Sequence, residues 1–317
     1  MAKLKLALYW AAACGGCDVA VLDINEKILD VANIADILLW PVALDYKYHH
    51  VRAMPDKHID VCLFNGAIRN SEHEEIAKLL RDKSKVMVAF GSCACFGGIP
   101  ALANFSNRQG IFERVYFEAQ SVENPEKTLP QTHLKVKEGE LELPEFDDTV
   151  RTLAQVVPVE YFLPGCPPTV KLILAVVDAL AKNALPPPGA VIASNKTLCD
   201  ECERVKEDKT ITRIYRTHEI IPDPKKCLLE QGLLCMGPAT RGGCGAQCVK
   251  ANVPCRGCFG PPPGVLDQGA KFLSAVASIY DVKDEVGIAR MLEEIVDPAG
   301  TFYRFSMSDS MLRRKRL

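Results

Sequence analysis

The chain has 317 residues, with 38 Lys and Arg against 40 Asp and Glu, and it carries 14 cysteines. A formal net charge of −2 gives no electrostatic case for nucleic acid or an anionic membrane, and no apolar run is long enough to span a bilayer. The length suggests two domains and buries a core without covalent staples, so the cysteines are not needed as disulfides.

Met1-Ala2-Lys3-Leu4-Lys5 runs straight into a strand-like stretch at 4–10, with no signal peptide and no twin-arginine pair ahead of it. A reducing cytoplasm is the expectation, where clustered cysteines are metal ligands or redox groups. Residues 19–32 then show helical spacing through Val19, Leu22, Ile28 and Leu29. Residues 36–40 and 60–64 read as strands. Ser71 with Glu74 three residues on reads as a capping box, followed by the apolar stripe Ile76, Leu79 and Leu80. Residues 85–90 are near-continuously apolar, as in a strand covered on both faces. The polar stretch 120–150 reads as a surface insertion, 157–163 as a weaker strand, and 171–182 as a helix ended by Pro186-Pro187-Pro188. Strands alternating with helices predict an α/β fold with a doubly wound parallel sheet.

Twelve of the cysteines fall into three groups of four, the number of thiolates that a 4Fe-4S cluster takes. Cys14 and Cys17, Cys93, and Cys166 each follow a predicted strand. Such loops, at the carboxyl ends of strands, are where open α/β sheets bind ligands, so distant cysteines can converge there. Gly15-Gly16, Gly91, Gly97-Gly98 and Gly165 lie beside them and allow close backbone approach to a bulky group. Taken singly, the pieces have blander readings. Cys-x-x-Cys also serves zinc and dithiol sites, and Gly91-Ser92-Cys93 could be an ordinary strand-to-helix turn.

Residues 194–264 show poor secondary-structure signal, and their apolar residues look too few for a normal core. The spacings are C-x2-C-x24-C-x7-C for Cys199, Cys202, Cys227 and Cys235, then C-x3-C-x6-C-x2-C for Cys244, Cys248, Cys255 and Cys258. Such a unit draws its folding energy from metal. Neither spacing is the bacterial ferredoxin run, and two structural zinc ions also fit. The division expected is 1–190 for the sheet domain and 191–317 for a small, irregular cluster-binding domain. No general acid, base or nucleophile stands out, so no catalytic residue is assigned.

With these motifs together, the chain resembles the small subunit of nickel-iron hydrogenases. Cys14-Gly15-Gly16-Cys17, Gly91-Ser92-Cys93-Ala94 with Gly97-Gly98, Gly165-Cys166-Pro167-Pro168, the pair Cys199 and Cys202, and Cys255-Arg256-Gly257-Cys258-Phe259-Gly260-Pro261 carry the resemblance. It implies a flavodoxin-like domain followed by an iron-sulfur domain. It implies three 4Fe-4S clusters with iron held by the twelve cysteines. Cys14, Cys17, Cys93 and Cys166 would hold the proximal one, Cys244, Cys248, Cys255 and Cys258 the medial one, and Cys199, Cys202, Cys227 and Cys235 the distal one. The nickel-iron centre would lie in a partner large subunit.

Two departures from the periplasmic members are informative. Those have histidine as the first distal ligand, where this chain has Cys199. They have a three-iron medial cluster with proline in place of the fourth ligand, where this chain has Cys248. Both changes add negative charge and lower cluster potential. The resemblance therefore points to the cytoplasmic viologen-reducing, coenzyme-F420-non-reducing branch, in which a small 2Fe-2S relay subunit passes electrons to a heterodisulfide-reductase-type flavoprotein. A deazaflavin-reducing (F420-reducing) hydrogenase or a sulfhydrogenase also fits the motifs. A subunit like the one bearing the last cluster of NADH dehydrogenase fits less well, because that relative has adjacent cysteines in its first motif and lacks the two-cluster domain. A zinc-stabilised scaffold is the non-redox alternative. Cys62, in an apolar run, reads as a buried structural thiol. Cys95 competes with Cys93 for the third proximal position, with Gly-Ser-Cys-Ala favouring Cys93. His49, His50 and His218 are left without a ligand role. The basic run Arg313-Arg314-Lys315-Arg316 reads as a solvated or partner-docking terminus.

Overall fold

The computed structural model describes residues 3–312 apart from 183 and 283, so the basic run at 313–316 lies outside the described residues. Among the described residues ten strands occur, in chain order: β1 (Leu4–Trp10), β2 (Ala35–Leu39), β3 (Ile59–Asn65), β4 (Ile68–Asn70), β5 (Ser84–Phe90), β6 (His133–Val136), β7 (Gly139–Glu142), β8 (Phe146–Arg151), β9 (Tyr161–Leu163) and β10 (Ala190–Val191). Six of them form one sheet in the order β10-β9-β5-β3-β1-β2, with every pairing parallel. Renumbered within the sheet, this is the 2-1-3-4-5 flavodoxin order with one further strand, and its switch point lies between β1 and β3. Both faces are covered: β3 and β5 bury Val61, Cys62, Phe64, Met87, Val88, Ala89 and Phe90. That is why residues 85–90 read as an unbroken apolar run. No helix among the described residues is long and apolar enough to cross a membrane.

Several local readings change. Residues 19–32 do not form one helix. Gly16–Leu22 and Ile28–Ile34 are separate helices with a short 3-10 turn at Asn25–Lys27 between them. Asn25 takes φ 55°, a left-handed conformation that ends a helix. The cap of the helix Ser71–Lys83 is Asn70, whose side chain accepts from the His73 N–H at 2.9 Å. Ser71 instead takes the Glu145 N–H on its hydroxyl at 2.9 Å. Glu74 is thereby released to pair with Arg151 at 2.6 Å and Lys78 at 2.7 Å. The insertion at 120–150 is not purely a surface feature. Its end, β8, pairs antiparallel with β4 and buries Thr149 and Val150.

The second half has an apolar core after all. Leu198, Ile211, Leu228, Leu233 and Met236 pack with Phe272, Val276 and Tyr280. The last three come from the helix Gln268–Ile279 and the residue that ends it. The irregular segment therefore borrows a face from a helix beyond residue 264. The chain then returns to the first half. Ser308 donates its hydroxyl to the Val150 carbonyl at 2.7 Å, and Gly98 N–H donates to the Phe305 carbonyl at 3.2 Å.

Candidate iron-sulfur sites

Four cysteines from three loops meet at the carboxyl edge of the sheet. Cys14 and Cys17 follow β1, Cys93 follows β5, and Cys166 follows β9. Close approach of β1 and β3 beyond their ends depends on Gly66, where a Cβ would lie 2.7 Å from the Ala11 carbonyl carbon. Asp18, buried beside Cys17, accepts from Trp40 Nε1 at 2.9 Å and from Asn65 Nδ2 at 2.8 Å. It thus ties the β1 loop to the ends of β2 and β3 and fixes the first turn that carries Cys17. On the other side Gly91 N–H donates to the Leu163 carbonyl and Ser92 N–H to the Gly165 carbonyl, both at 2.8 Å. Those two bonds lock the Cys93 loop to the Cys166 loop.

Glycine is required where this group closes. A Cβ on Gly91 would lie 2.4 Å from Cys17 Sγ, and one on Gly98 would lie 2.5 Å from Cys93 Sγ. Burial pushes the Cys17 thiol well up, and the neighbouring Cys93, Cys166 and Cys14 push the same way. Burial likewise pushes Cys93 up to about 12, reinforced by Cys166 and Cys14. Cys95 also has Cys17 and Cys93 as electrostatic neighbours, but its thiol is committed to the backbone. It is 3% exposed and its thiol donates to the Ala89 carbonyl on β5 at 3.2 Å. Cys62 is fully buried on β3.

In the second half, burial pushes Cys199 up to about 12, and Cys235, Cys227 and Cys202 act in the same direction against nearby Lys206. These four line a cavity of about 280 Å³ together with Leu198, Gly237 and Val249. Gly237 gives it room, since a Cβ there would come within 3.0 Å of Cys199 Sγ. The remaining four are also neighbours. Burial pushes Cys258 up to about 12, reinforced by Cys244, Cys166 and Cys248. Burial raises the Cys244 thiol, and the neighbouring backbone of Ala246 and Gln247 opposes that rise. Cys255, nearly fully buried, neighbours both Cys258 and Cys235. Arg256, between Cys255 and Gly257 in the chain, has the sulfurs of Cys235, Cys255 and Cys248 as its electrostatic neighbours, with Arg304 beside it.

The donor set is thiolate throughout, with N–H groups aimed at sulfur and glycines where bulk would block the sites. These residues fit iron-sulfur clusters. Among the described residues no three cysteine sulfurs all lie within 4.8 Å of one another, and the single group that tight is the exposed trio His133, Glu140 and Glu142 on the β6–β7 hairpin. The His49 and His50 rings lie 4.0 Å apart, tilted by 54°, and His218 is exposed. Sequence reading overlooked Ser92, Asp18 and Arg256. Ser92 and Arg256 lie inside quoted motifs and Asp18 adjoins one, but their partners are distant in the chain.

A parallel α/β sheet with thiolate loops at its carboxyl edge, joined to a second thiolate-rich unit, defines an iron-sulfur subunit of an oxidoreductase complex. The family described as NADH ubiquinone oxidoreductase, 20 Kd subunit, matches residues 14–180. The chain is 42% identical to the iron-sulfur subunit of the F420-non-reducing hydrogenase of Archaeoglobus profundus, over 98% of this chain and 98% of that protein. It is 36% identical to a subunit of the F420-non-reducing hydrogenase of Methanothermobacter marburgensis, over 99% and 97%. The chain belongs to this family of F420-non-reducing hydrogenase iron-sulfur subunits. Among solved structures, a subunit of an NAD+-reducing NiFe hydrogenase in the H2-reduced state aligns with TM-score 0.50 and 27% identity, covering 58% of this chain and 94% of that one. A chain of the NiFeSe hydrogenase from Desulfovibrio vulgaris Hildenborough aligns with TM-score 0.53 over 89% of this chain and 99% of its own, and at 16% identity it speaks to the fold alone.

Proposed function

We propose that this chain conducts electrons from H2 oxidation in a nickel-iron large subunit, through three 4Fe-4S clusters, to a 2Fe-2S relay subunit and a heterodisulfide-reductase-type flavoprotein in the cytoplasm. When bound, each cluster supplies reversible one-electron storage. Cys14, Cys17, Cys93 and Cys166 hold the proximal cluster at the sheet edge. Cys244, Cys248, Cys255 and Cys258 hold the medial one, and Cys199, Cys202, Cys227 and Cys235 the distal one. The observation that supports this reading over a zinc scaffold is the gathering of Cys14, Cys17, Cys93 and Cys166 at the carboxyl edge of the sheet, in a chain 42% identical to a hydrogenase iron-sulfur subunit. The protein's own work is to set distance, insulation and potential. Thiolate ligation at Cys199 and Cys248 keeps the potentials low, as low-potential acceptors require.

The test is purification of the native complex, with metal and sulfide analysis and identification of the co-purifying chains. About twelve irons per chain with matching sulfide is expected, together with a nickel-containing large subunit and a 2Fe-2S partner. Zinc without iron, or no nickel-containing partner, overturns the reading.

A further inference from the structure

We propose that Ser92 is the positioning residue of the proximal-to-medial junction. It holds the Cys258 backbone against the Gly165-Cys166 loop at the separation that electron transfer between the two groups requires. This rests on the three-cluster reading above.

Ser92 is 1% exposed and spends both its polar groups on contacts between elements. Its N–H donates to the Gly165 carbonyl at 2.8 Å. Its hydroxyl donates to the Cys258 carbonyl at 2.5 Å, across 166 residues of sequence. Cys166 in turn neighbours the Cys258 sulfur. A serine in the first turn of a helix ordinarily satisfies its hydroxyl locally. Here it reaches a different half of the chain and lands on Cys258. Two hydrogen bonds from one residue therefore tie the Gly165-Cys166 loop to the Cys258 backbone.

Transfer across this junction moves one electron. One group is oxidised and the other reduced, no covalent bond changes, and no proton moves. The rate depends on the distance between the two groups. Ser92 fixes that distance without itself taking part in ligation.

The test uses the holo-complex with Ser92→Ala and Ser92→Thr. Iron content and the EPR signals of the clusters are recorded first. H2-triggered freeze-quench EPR then follows the appearance of the medial signal after the proximal one, and spin-spin coupling between the two is measured in the reduced state. Ser92→Ala should keep its iron, weaken the coupling and slow the proximal-to-medial step. Ser92→Thr, which keeps the hydroxyl, should restore both. An unchanged rate and coupling in an iron-replete Ser92→Ala complex overturns the proposal. So does loss of iron from Ser92→Ala with retention in Ser92→Thr, which would assign the hydroxyl to assembly. Absence of iron from the parent complex is a separate failure, that of the three-cluster reading.

Discussion

The backbone N–H of Cys255 donates to the Sγ of Cys235 at 3.3 Å, so a single peptide group joins the set Cys244, Cys248, Cys255 and Cys258 to the set Cys199, Cys202, Cys227 and Cys235. At the other junction Cys166 neighbours the Cys258 sulfur. A hydrogen bond donated to sulfur also offsets the negative charge there. Relative position is set by the main chain, which side-chain motion disturbs least.

The two neighbouring cysteines after β5 should behave oppositely. Cys93→Ser should cost the proximal cluster, read as loss of about four irons and of one EPR signal. Cys95→Ser should leave the iron count alone. Its polar hydroxyl replaces a thiol that already donates to Ala89, so the cost should be only about 1–2 kcal/mol in unfolding free energy. If Cys95→Ser loses iron and Cys93→Ser keeps it, the assignment is reversed.

Gly91→Ala should combine backbone strain with a steric block. Gly91 holds φ 86°, and a Cβ would meet Cys17 Sγ at 2.4 Å. Strain of about 1–3 kcal/mol is expected, along with an incomplete proximal site. Thermal unfolding and iron analysis on the same preparation measure the two parts.

Asp18→Ala would strand two buried donors, Trp40 Nε1 and Asn65 Nδ2. A loss of about 3 kcal/mol is expected from donors left without an acceptor. The Cys17 turn should loosen with it, broadening the proximal EPR signal. A denaturation midpoint within experimental error of the parent would rule out this role for Asp18.

Glu74 supplies an acid-side signature. Its hydrogen bonds with Lys78 and then Arg151 hold its carboxyl down to about 2, against an ordinary value of 4.5. A depressed carboxyl stabilises the fold above the unfolded value, and the stabilisation is lost as pH falls from about 4.5 through about 2. Glu74→Gln should therefore cost about 2 kcal/mol at neutral pH, with solvent screening allowed for. The gap to the parent should close across that acid range. Unfolding rates measured through the window check both the size and the sign.

Much of the fold was legible because strand patterning is local. Residues 4–10, 60–64 and 85–90 were readable since sheet burial on both faces leaves a continuous apolar run. The break at Asn25 was not, because the helical stripe persists through a residue whose conformation, not its polarity, ends the helix. The capping box at Ser71 failed for a related reason. Asn70 is as good a cap, and only the contact of Ser71 with Glu145 decides between them. The core of the second half was missed because its helix, Gln268–Ile279, lies beyond the cysteines in the chain and covers them from outside the cysteine-rich segment.

Twelve cysteines in three groups of four, with glycines beside the loops and strands ending where the first group can converge, are written in the chain itself. These are properties of residue type and short spacing, and chemistry follows from them directly. Folding adds the contacts between distant elements: Cys95 gives its thiol to the Ala89 carbonyl, Asp18 anchors the Cys17 turn, and Ser92 reaches Cys258. Each of these is a contact whose direction depends on how a short helix or loop is rotated against a distant element. Such contacts are fixed by packing of the whole chain, and no local pattern encodes them.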